Sequence, residues 1–353
     1  MNKLRPEVEA APSRLESSDP SIDPSIPLLV VVGPTAVGKT DFAVALAERL
    51  RDRAAVEAVS ADSRQVYREM EIATAKATAA QRARLPHHLI DLVRPDEGYT
   101  LAQYQASAMA TIAAIWARGR LPLLVGGTGL YVRAVVDGLA IPAVPPDPAL
   151  RAALEAEVAS HGPGALHARL AVLDPVTAAG IDAKNPRRLI RALEVCIGSG
   201  QPLSEQRGAR PTPYRPLMLG LNMERATLYA RADTRVDAML AAGLAEEARG
   251  LAARGYGWEL PAMSSLGYRE IGAYLRGEAT LAAAMERLKL NTHAYIRRQL
   301  TWFRPDRRIT WLYAEQPAEE LAALAEGLVR PWLEAAFSGP HSWQGAGKPA
   351  RPL

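Results

Sequence analysis

The stretch IPLLVVVGPTAVGKT, Ile26 to Thr40, joins an apolar strand to a complete phosphate-binding loop. Leu28 to Val32 is an unbroken apolar run, the pattern of a strand buried on both faces of a parallel sheet. Gly33 and Gly38 enclose Pro34, Thr35, Ala36 and Val37, and Lys39 and Thr40 follow at the offsets of a GxxxxGK[ST] loop. The glycines let backbone N–H groups close round phosphate oxygens, Lys39 adds a point charge, and the Thr40 hydroxyl is a ligand for Mg²⁺. A phosphorylated ligand is therefore expected here.

Outward from this loop, apolar runs alternate with helical patterns. Val56–Ser60 and Leu121–Val125 read as further strands, and Lys39–Arg51, Thr100–Arg118 and Gly129–Val136 read as helices. This βαβ rhythm predicts an α/β fold: a P-loop NTPase-like parallel sheet flanked by helices. After Gly138 the proline-rich IPAVPPDP leads into alanine-rich helical patterns from Arg151 to Ser199, a helical insertion. A proline-rich return, Gln201–Pro216, precedes a possible strand over Leu217–Leu221, and helical periodicity then continues from Leu228 to Ala336. The expected division is a disordered tail over 1–27, the first part of the core over 28–140, the insertion over 141–213, core completion with C-terminal helices over 214–336, and a disordered tail over 337–353.

The chain has 353 residues, long enough for more than one core, and is 48% hydrophobic, as a soluble globular protein is. A single cysteine, Cys196, excludes an intramolecular disulfide and a cysteine-based zinc cluster and suits a reducing cytoplasm. Residues 1–27 lack a signal-peptide core, and no apolar run reaches membrane-spanning length. The net charge is only +4, but basic residues concentrate: seven against three acidic ones between Asp182 and Arg215, and seven against Asp306 alone between Arg287 and Arg308. Both stretches suit a polyanion as well as they suit a solvated helix face. Without a long apolar surface helix or heptads, a monomer is expected.

Four groups of residues carry chemistry. SADSRQVY puts Asp62, Ser63, Arg64 and Gln65 just past the second strand, on the edge that carries the phosphate loop. Asp62 there either accepts a proton or hydrogen bond from a substrate or caps a following helix; Gln65 and Tyr67 either contact a base or pack. The third strand ends in Gly126, Gly127 and Thr128, where an ordinary ATPase places a Mg²⁺-associated aspartate, so nucleotide hydrolysis is not the expected task. His87 and His88 lack metal-ligand spacing and are expected to make structural hydrogen bonds or line a cleft. Arg187, Arg188 and Arg191 recur at helical spacing, SSLGYREI combines glycine, aromatic and arginine, and Arg297, Arg298 and Arg304 alternate with Tyr295, Trp302 and Phe303, aromatics more usual in a core than as stacking platforms.

In order along the chain, GPTAVGKT, SADSRQVY, TAKAT with PHHLID, LVGGTGLY, NPRRLIRALEV, RVDAMLAAGL, LGYRE and RRQLTWFR resemble the tRNA dimethylallyltransferase (isopentenyltransferase) family, bacterial type, from about Leu28 to Leu312. The chain departs from that pattern at Ala73 and Ala77, where the family usually carries the glycine and proline of GTAKP. The resemblance implies transfer of a dimethylallyl group from dimethylallyl diphosphate to N6 of the adenosine 3′-adjacent to the anticodon, with release of diphosphate and with Mg²⁺ as cofactor. It implies that Gly33 to Thr40 hold the diphosphate and that Asp62, Thr128 and Arg235 are catalytic. It assigns contact with the tRNA anticodon stem-loop to Asp62–Gln65, Thr128, Arg151, Arg187–Arg191 (with Leu189 and Ile190) and Ser264–Arg269 (with Ser265, Leu266, Gly267 and Tyr268). Three other readings remain: a small-metabolite kinase, which would need ATP and no tRNA; an adenylate isopentenyltransferase, which would need AMP and no arginine-lined insertion; and an RNA-binding protein with a vestigial loop, against which Lys39, Thr40 and Asp62 are intact.

Overall fold

A computed structural model describes residues 26–337; of the tails expected over 1–27 and 337–353, residues 1–25 and 338–353 lie outside the described residues. The elements run β1 (Ile26–Val32), α1 (Lys39–Arg49), β2 (Val56–Ser60), α2 (Ala79–Arg84), β3 (His87–His88), α3 (Leu101–Ala117), β4 (Leu121–Gly126) and α4 (Gly129–Val136). Five helices follow, α5 (Pro148–His161), α6 (Pro163–Leu173), α7 (Pro175–Gly180), α8 (Pro186–Ser199) and α9 (Leu203–Gln206). The chain then returns through β5 (Tyr214–Asn222), α10 (Arg225–Ala241), α11 (Leu244–Ala253), α12 (Tyr268–Leu275), α13 (Leu281–Phe303), β6 (Ile309–Tyr313) and α14 (Ala318–Phe337).

The sheet is parallel throughout, in the order β3-β2-β4-β1-β5-β6. Alternate residues of β1 serve opposite faces. Leu29 and Val31 pack with α1 and α14, through Phe42, Leu46, Leu321 and Val329; Leu28, Val30 and Val32 pack with α3 and α4, through Tyr104, Ile112, Tyr131 and Val135. Both faces of the strand are therefore dry, which is why its sequence is continuously apolar. Crossovers leave β1 on one side toward β2 and return on the other to β5, so a crevice opens at the carboxyl end of β1, beside β4.

Proline at the first helical turn and an aspartate or asparagine cap start α5, α7 and α8, through Asp147, Asp174 and Asn185. The helices of this stretch share a core of their own, built on Leu154, Leu166, Leu170, Leu189 and Leu193. The turn after β2 joins a further apolar cluster with α10 to α13, through Tyr67, Met70, Leu244, Tyr268 and Leu288.

Four expectations need correction. Strand β1 begins at Ile26, inside the expected tail, because Ile26 pairs in register with Tyr214. Strand β5 is longer than Leu217–Leu221, starting at Tyr214 in what read as the return connection. Strand β6 lies where only helix was expected; it is an edge strand paired along one side with β5, and its Trp311 and Leu312 are only half-buried. No helix follows β2 directly, so Asp62 caps none: its Oδ1 accepts from the Arg64 N–H at 2.8 Å, turning the chain. No helix among the described residues is long and apolar enough to cross a membrane.

Candidate active site

A cleft of about 270 Å³ opens at the carboxyl edge of the sheet. Its floor is the loop from Thr35 to Thr40; Ser60, Asp62 and Gln65 rise from the end of β2, Val125 and Gly126 from β4, Arg235 from α10, and Thr74 to Ala77 form the opposite wall. Residues as far apart in sequence as Thr35 and Arg235 are thus brought round one anion-binding loop.

Lys39 folds back over that loop, its Nζ donating to the carbonyls of Gly33 at 3.0 Å and Pro34 at 2.7 Å. Burial lowers the ammonium to about 8; the charge of Asp62 partly opposes this and that of Arg235 adds to it. Burial likewise holds Arg235 below the usual arginine range, against the pull of Asp62 and Asp41. Two cations held in burial, with the Asp62 and Asp41 carboxylates nearby, form a site that gains from a polyanion. The free ammonium loses its proton as pH rises through about 8, so affinity for inorganic diphosphate is expected to fall by about tenfold between pH 7 and pH 9. Titration calorimetry checks this, with Lys39→Met as the control that lacks the step.

Thr128 stands at the start of α4 without capping it. Its Oγ1 instead accepts from the Ser63 N–H at 3.0 Å, while its own N–H donates to the Ala61 carbonyl at 3.1 Å, so the turn after β4 is tied to the turn that carries Asp62. The Tyr295 hydroxyl, pushed up to about 12 chiefly by burial, shares a hydrogen bond with Thr128. Gln299 joins the two glycine-rich loops: its Oε1 accepts from Thr35 N–H at 2.8 Å and its Nε2 donates to the Gly127 carbonyl at 3.0 Å. A Cβ on Gly127 would lie 2.2 Å from that amide, so only glycine admits the bridge. Thr292, Tyr295, Gln299 and Trp302, the last packed against Gly129, recur at three- and four-residue steps and give α13 one face toward the site. That spacing is the sequence signal by which Gln299 and Tyr295 could have been found.

The wall from Thr74 to Ala77 is held from behind. Gln65 Nε2 donates to the carbonyls of Thr74 and Ala75, both at 3.3 Å, and Lys76, buried, binds Glu71, Asp91 and the Tyr67 carbonyl. Ala36, Ala75, Leu89 and Asp91 all adopt positive φ without being glycine. Such residues cost roughly 1–3 kcal/mol each and cluster where surrounding structure fixes a shape that function needs. His87 lines the cleft and His88 binds Glu57 at 2.6 Å, while Tyr67 packs.

Arg64 reaches from the Asp62 turn to the Pro261 carbonyl at 2.9 Å, placing Asp62–Gln65 beside the Ser264–Arg269 segment. Within that segment Ser264 and Arg269 are exposed, Ser265 is buried against the Ala262 carbonyl, and Tyr268 is buried with its hydroxyl on Glu247. The residues of α8 and α5 do not line the cleft. Arg187 and Arg188 are exposed, whereas Leu189 and Ile190 belong to the helices' own core. Arg151 and Arg191 converge on Glu194; burial would raise that carboxyl, but the two guanidiniums hold it at about 2.

The description "IPP transferase" belongs to the family profile that matches residues 65–306. The chain is 53% identical over 310 residues to a protein of Roseiflexus sp. (strain RS-1) named tRNA dimethylallyltransferase, spanning 88% of this chain and 100% of that one. It is 55% identical over 305 residues to the protein of that name from Roseiflexus castenholzii, covering 86% and 98%. Among solved structures it is similar to the full-length tRNA isopentenylpyrophosphate transferase of Bacillus halodurans, with TM-score 0.67, 42% identity and coverage of 89% and 98%. It also resembles a eukaryotic dimethylallyltransferase acting on tRNA, with TM-score 0.74, 25% identity and coverage of 92% and 83%.

Proposed function

The chain belongs to the IPP transferase family, and on that premise we propose that it is a tRNA dimethylallyltransferase, moving the dimethylallyl group of dimethylallyl diphosphate to N6 of the adenosine 3′-adjacent to the anticodon. The observation that carries this reading is the meeting of Lys39, Arg235, Asp62 and the Thr128 turn round one phosphate loop that has no ATPase aspartate after β4.

The diphosphate sits on the backbone N–H groups from Ala36 to Thr40, and Lys39 turns from its own loop carbonyls to the phosphate oxygens. N6 attacks C1 of the dimethylallyl group, and the electron pair of the breaking C1–O bond leaves with the diphosphate. Lys39 and Arg235 stabilise the charge that develops on that leaving group. Asp62 accepts the N6 proton and orients the amine, with Thr128 fixing the turn from which Asp62 projects. The donor set fits Mg²⁺: the Thr40 hydroxyl and the carboxylates of Asp41 and Asp62 line the cleft, and among the described residues no group of three or more His, Cys, Asp or Glu forms an all-protein cage. Mg²⁺, when bound, supplies charge neutralisation to the diphosphate.

Reaching N6 requires the base to leave the anticodon stack. The exposed Arg187 and Arg188 of α8, in the insertion over 141–213, meet the stem-loop backbone, with Arg151 and Arg191 held behind them by Glu194. Ser264 and Arg269, beside the Asp62 turn, meet the RNA near the reacting base. A monomer in the cytoplasm suits this task.

Diphosphate release is the test: it is expected to depend on unmodified tRNA and Mg²⁺. Release supported equally by AMP would favour the adenylate enzyme, and phosphate transfer from ATP without tRNA would favour a kinase. Gln299→Leu is expected to lower kcat/KM by roughly 10- to 100-fold, because the phosphate loop and the Thr128 turn lose their common anchor. Steady-state kinetics with varied tRNA and varied diphosphate substrate check this.

A further inference from the structure

Trp302 departs from the expectation that the aromatics near the end of α13 pack in the core. Phe303 is buried, but Trp302 is 40% exposed. The five-membered ring of its indole lies on Gly129, where a Cβ would overlap it, so the side chain is fixed against the first residue of α4. Gly129 follows Thr128 directly. The indole therefore stands within about two Cα spacings, roughly 8 Å, of the turn that positions Asp62.

Trp302 forms one wall of a cleft of about 270 Å³, close to the roughly 300 Å³ at which small-molecule clefts begin. The floor is apolar, from Val132 and Val136 of α4, Met218 of β5 and Phe303. The rim is a chain of paired charges: Arg133 donates to Asp137 at 2.9 Å, and Arg308 donates to Asp137 at 2.8 Å and to Asp306 at 2.6 Å. Both carboxylates are thus engaged, which leaves no place for a cation, and the apolar floor offers a phosphate nothing. A flat ring stacked on the indole is what the cleft accepts. Along the same run of chain, Arg298 stands one turn before Trp302, and Arg304 and Arg307 follow it; all three are exposed, and none is ion-paired with a carboxylate among the described residues. Arg298 lies 5.7 Å over the ring of Tyr295, the residue that bonds Thr128, which ties this run to the site. Unpaired cations on either side of an aromatic platform suit a single nucleic-acid strand.

We propose that this cleft is a nucleobase platform: the nucleotide next to the reacting adenosine unstacks and lays its base on Trp302, with its phosphate among Arg298, Arg304 and Arg307. The proposal rests on the proposed transfer to tRNA. When the reacting base leaves the anticodon stack, its neighbour loses a stacking face, and the indole restores one. The closeness of Trp302 to the Thr128 turn selects an adjacent nucleotide over a distant one.

The test uses the full chain and an anticodon stem-loop RNA in three forms: unaltered, and with an abasic ribose at the nucleotide 5′ or 3′ of the reacting adenosine. Wild-type protein is expected to bind one of the two abasic forms roughly 5- to 150-fold more weakly than the unaltered RNA, the span of one base–aromatic stack. Trp302→Leu should weaken binding of the unaltered RNA by a similar factor, read in transfer assays as a higher KM rather than a lower kcat, and should bind that abasic form as the wild type does. Trp302→Phe should recover most of the loss, and affinity for inorganic diphosphate should be unchanged in both variants. A 5-iodouridine at the same nucleotide should photocross-link to Trp302 in the wild-type protein, a readout that needs no variant. If Trp302→Leu weakens all three RNAs by one factor or weakens none, or if the cross-link forms only elsewhere, the platform is overturned and the indole merely packs on Gly129. Wild-type protein that neither binds the stem-loop nor prenylates tRNA overturns the tRNA reading, and the platform with it.

Discussion

Asp62→Asn is expected to lower kcat for prenyl transfer by roughly 10²–10⁴-fold while changing the KM for tRNA little, the range in which a positioned acid or base contributes. Asparagine keeps the side-chain oxygen that accepts from the Arg64 N–H, so the turn and its ties to Thr128 and Pro261 survive. What it removes is the capacity to take a proton from N6. The other Asp62 oxygen takes no hydrogen bond from the described residues, so the carboxylate is not committed to the fold. Single-turnover transfer to tRNA, with circular dichroism to confirm folding, decides the matter. If Asp62 only shaped its turn, asparagine would replace it with full activity.

Lys39→Met should be nearly as severe, reducing kcat by roughly 10²–10³-fold, the loss seen when one preorganised donor to developing charge is removed. Methionine keeps the length and apolar body of the side chain, so the loop loses its two lysine-to-carbonyl bonds, at Gly33 and Pro34, and the charge. Inorganic diphosphate should bind correspondingly weakly. Lys39→Arg should not restore the rate: the guanidinium is a planar fork, larger than the ammonium, and the space is bounded by Asp62 and Arg235. Steady-state rates for the three proteins, with diphosphate affinities by calorimetry, provide the check. A Lys39→Met variant with near-normal kcat would remove the loop from the chemistry.

The strands that build the site were the legible part of the fold, for a physical reason. β1 and β4 are central, buried on both faces, and written as apolar runs that end in glycine, and β2, equally buried, reads as a strand through Val56, Ala58 and Val59 although Glu57 interrupts the run. β6 was not legible because it is an edge strand whose burial is partial, directly after the long helix α13 and without glycine punctuation. β3 spans only His87 and His88, too short for any period to register.

The site divides in the same way. Gly33 to Thr40 and Asp62 are local signals, a motif and a polar residue at a strand end. Gln299 and Tyr295 matter through contacts with residues 264 and 167 positions away, and read as ordinary members of a basic helix until α13 is placed against the two glycine-rich loops. The tight fit of Ala73 against Gly267 joins two segments that the sequence leaves far apart, so the substitution looked like a detail of one loop. Arg191, read with Arg187 and Arg188 as recurring at helical spacing, and Arg151, which only the resemblance singles out, also neutralise the buried Glu194.

The decisive measurement is nucleoside analysis of unmodified tRNA after incubation with the wild-type protein, Mg²⁺ and dimethylallyl diphosphate labelled in its hydrocarbon. The account predicts label in N6-dimethylallyladenosine at the position 3′-adjacent to the anticodon and nowhere else in the tRNA. Label recovered only as a five-carbon alcohol, or in AMP supplied as a competitor rather than in tRNA, would contradict it.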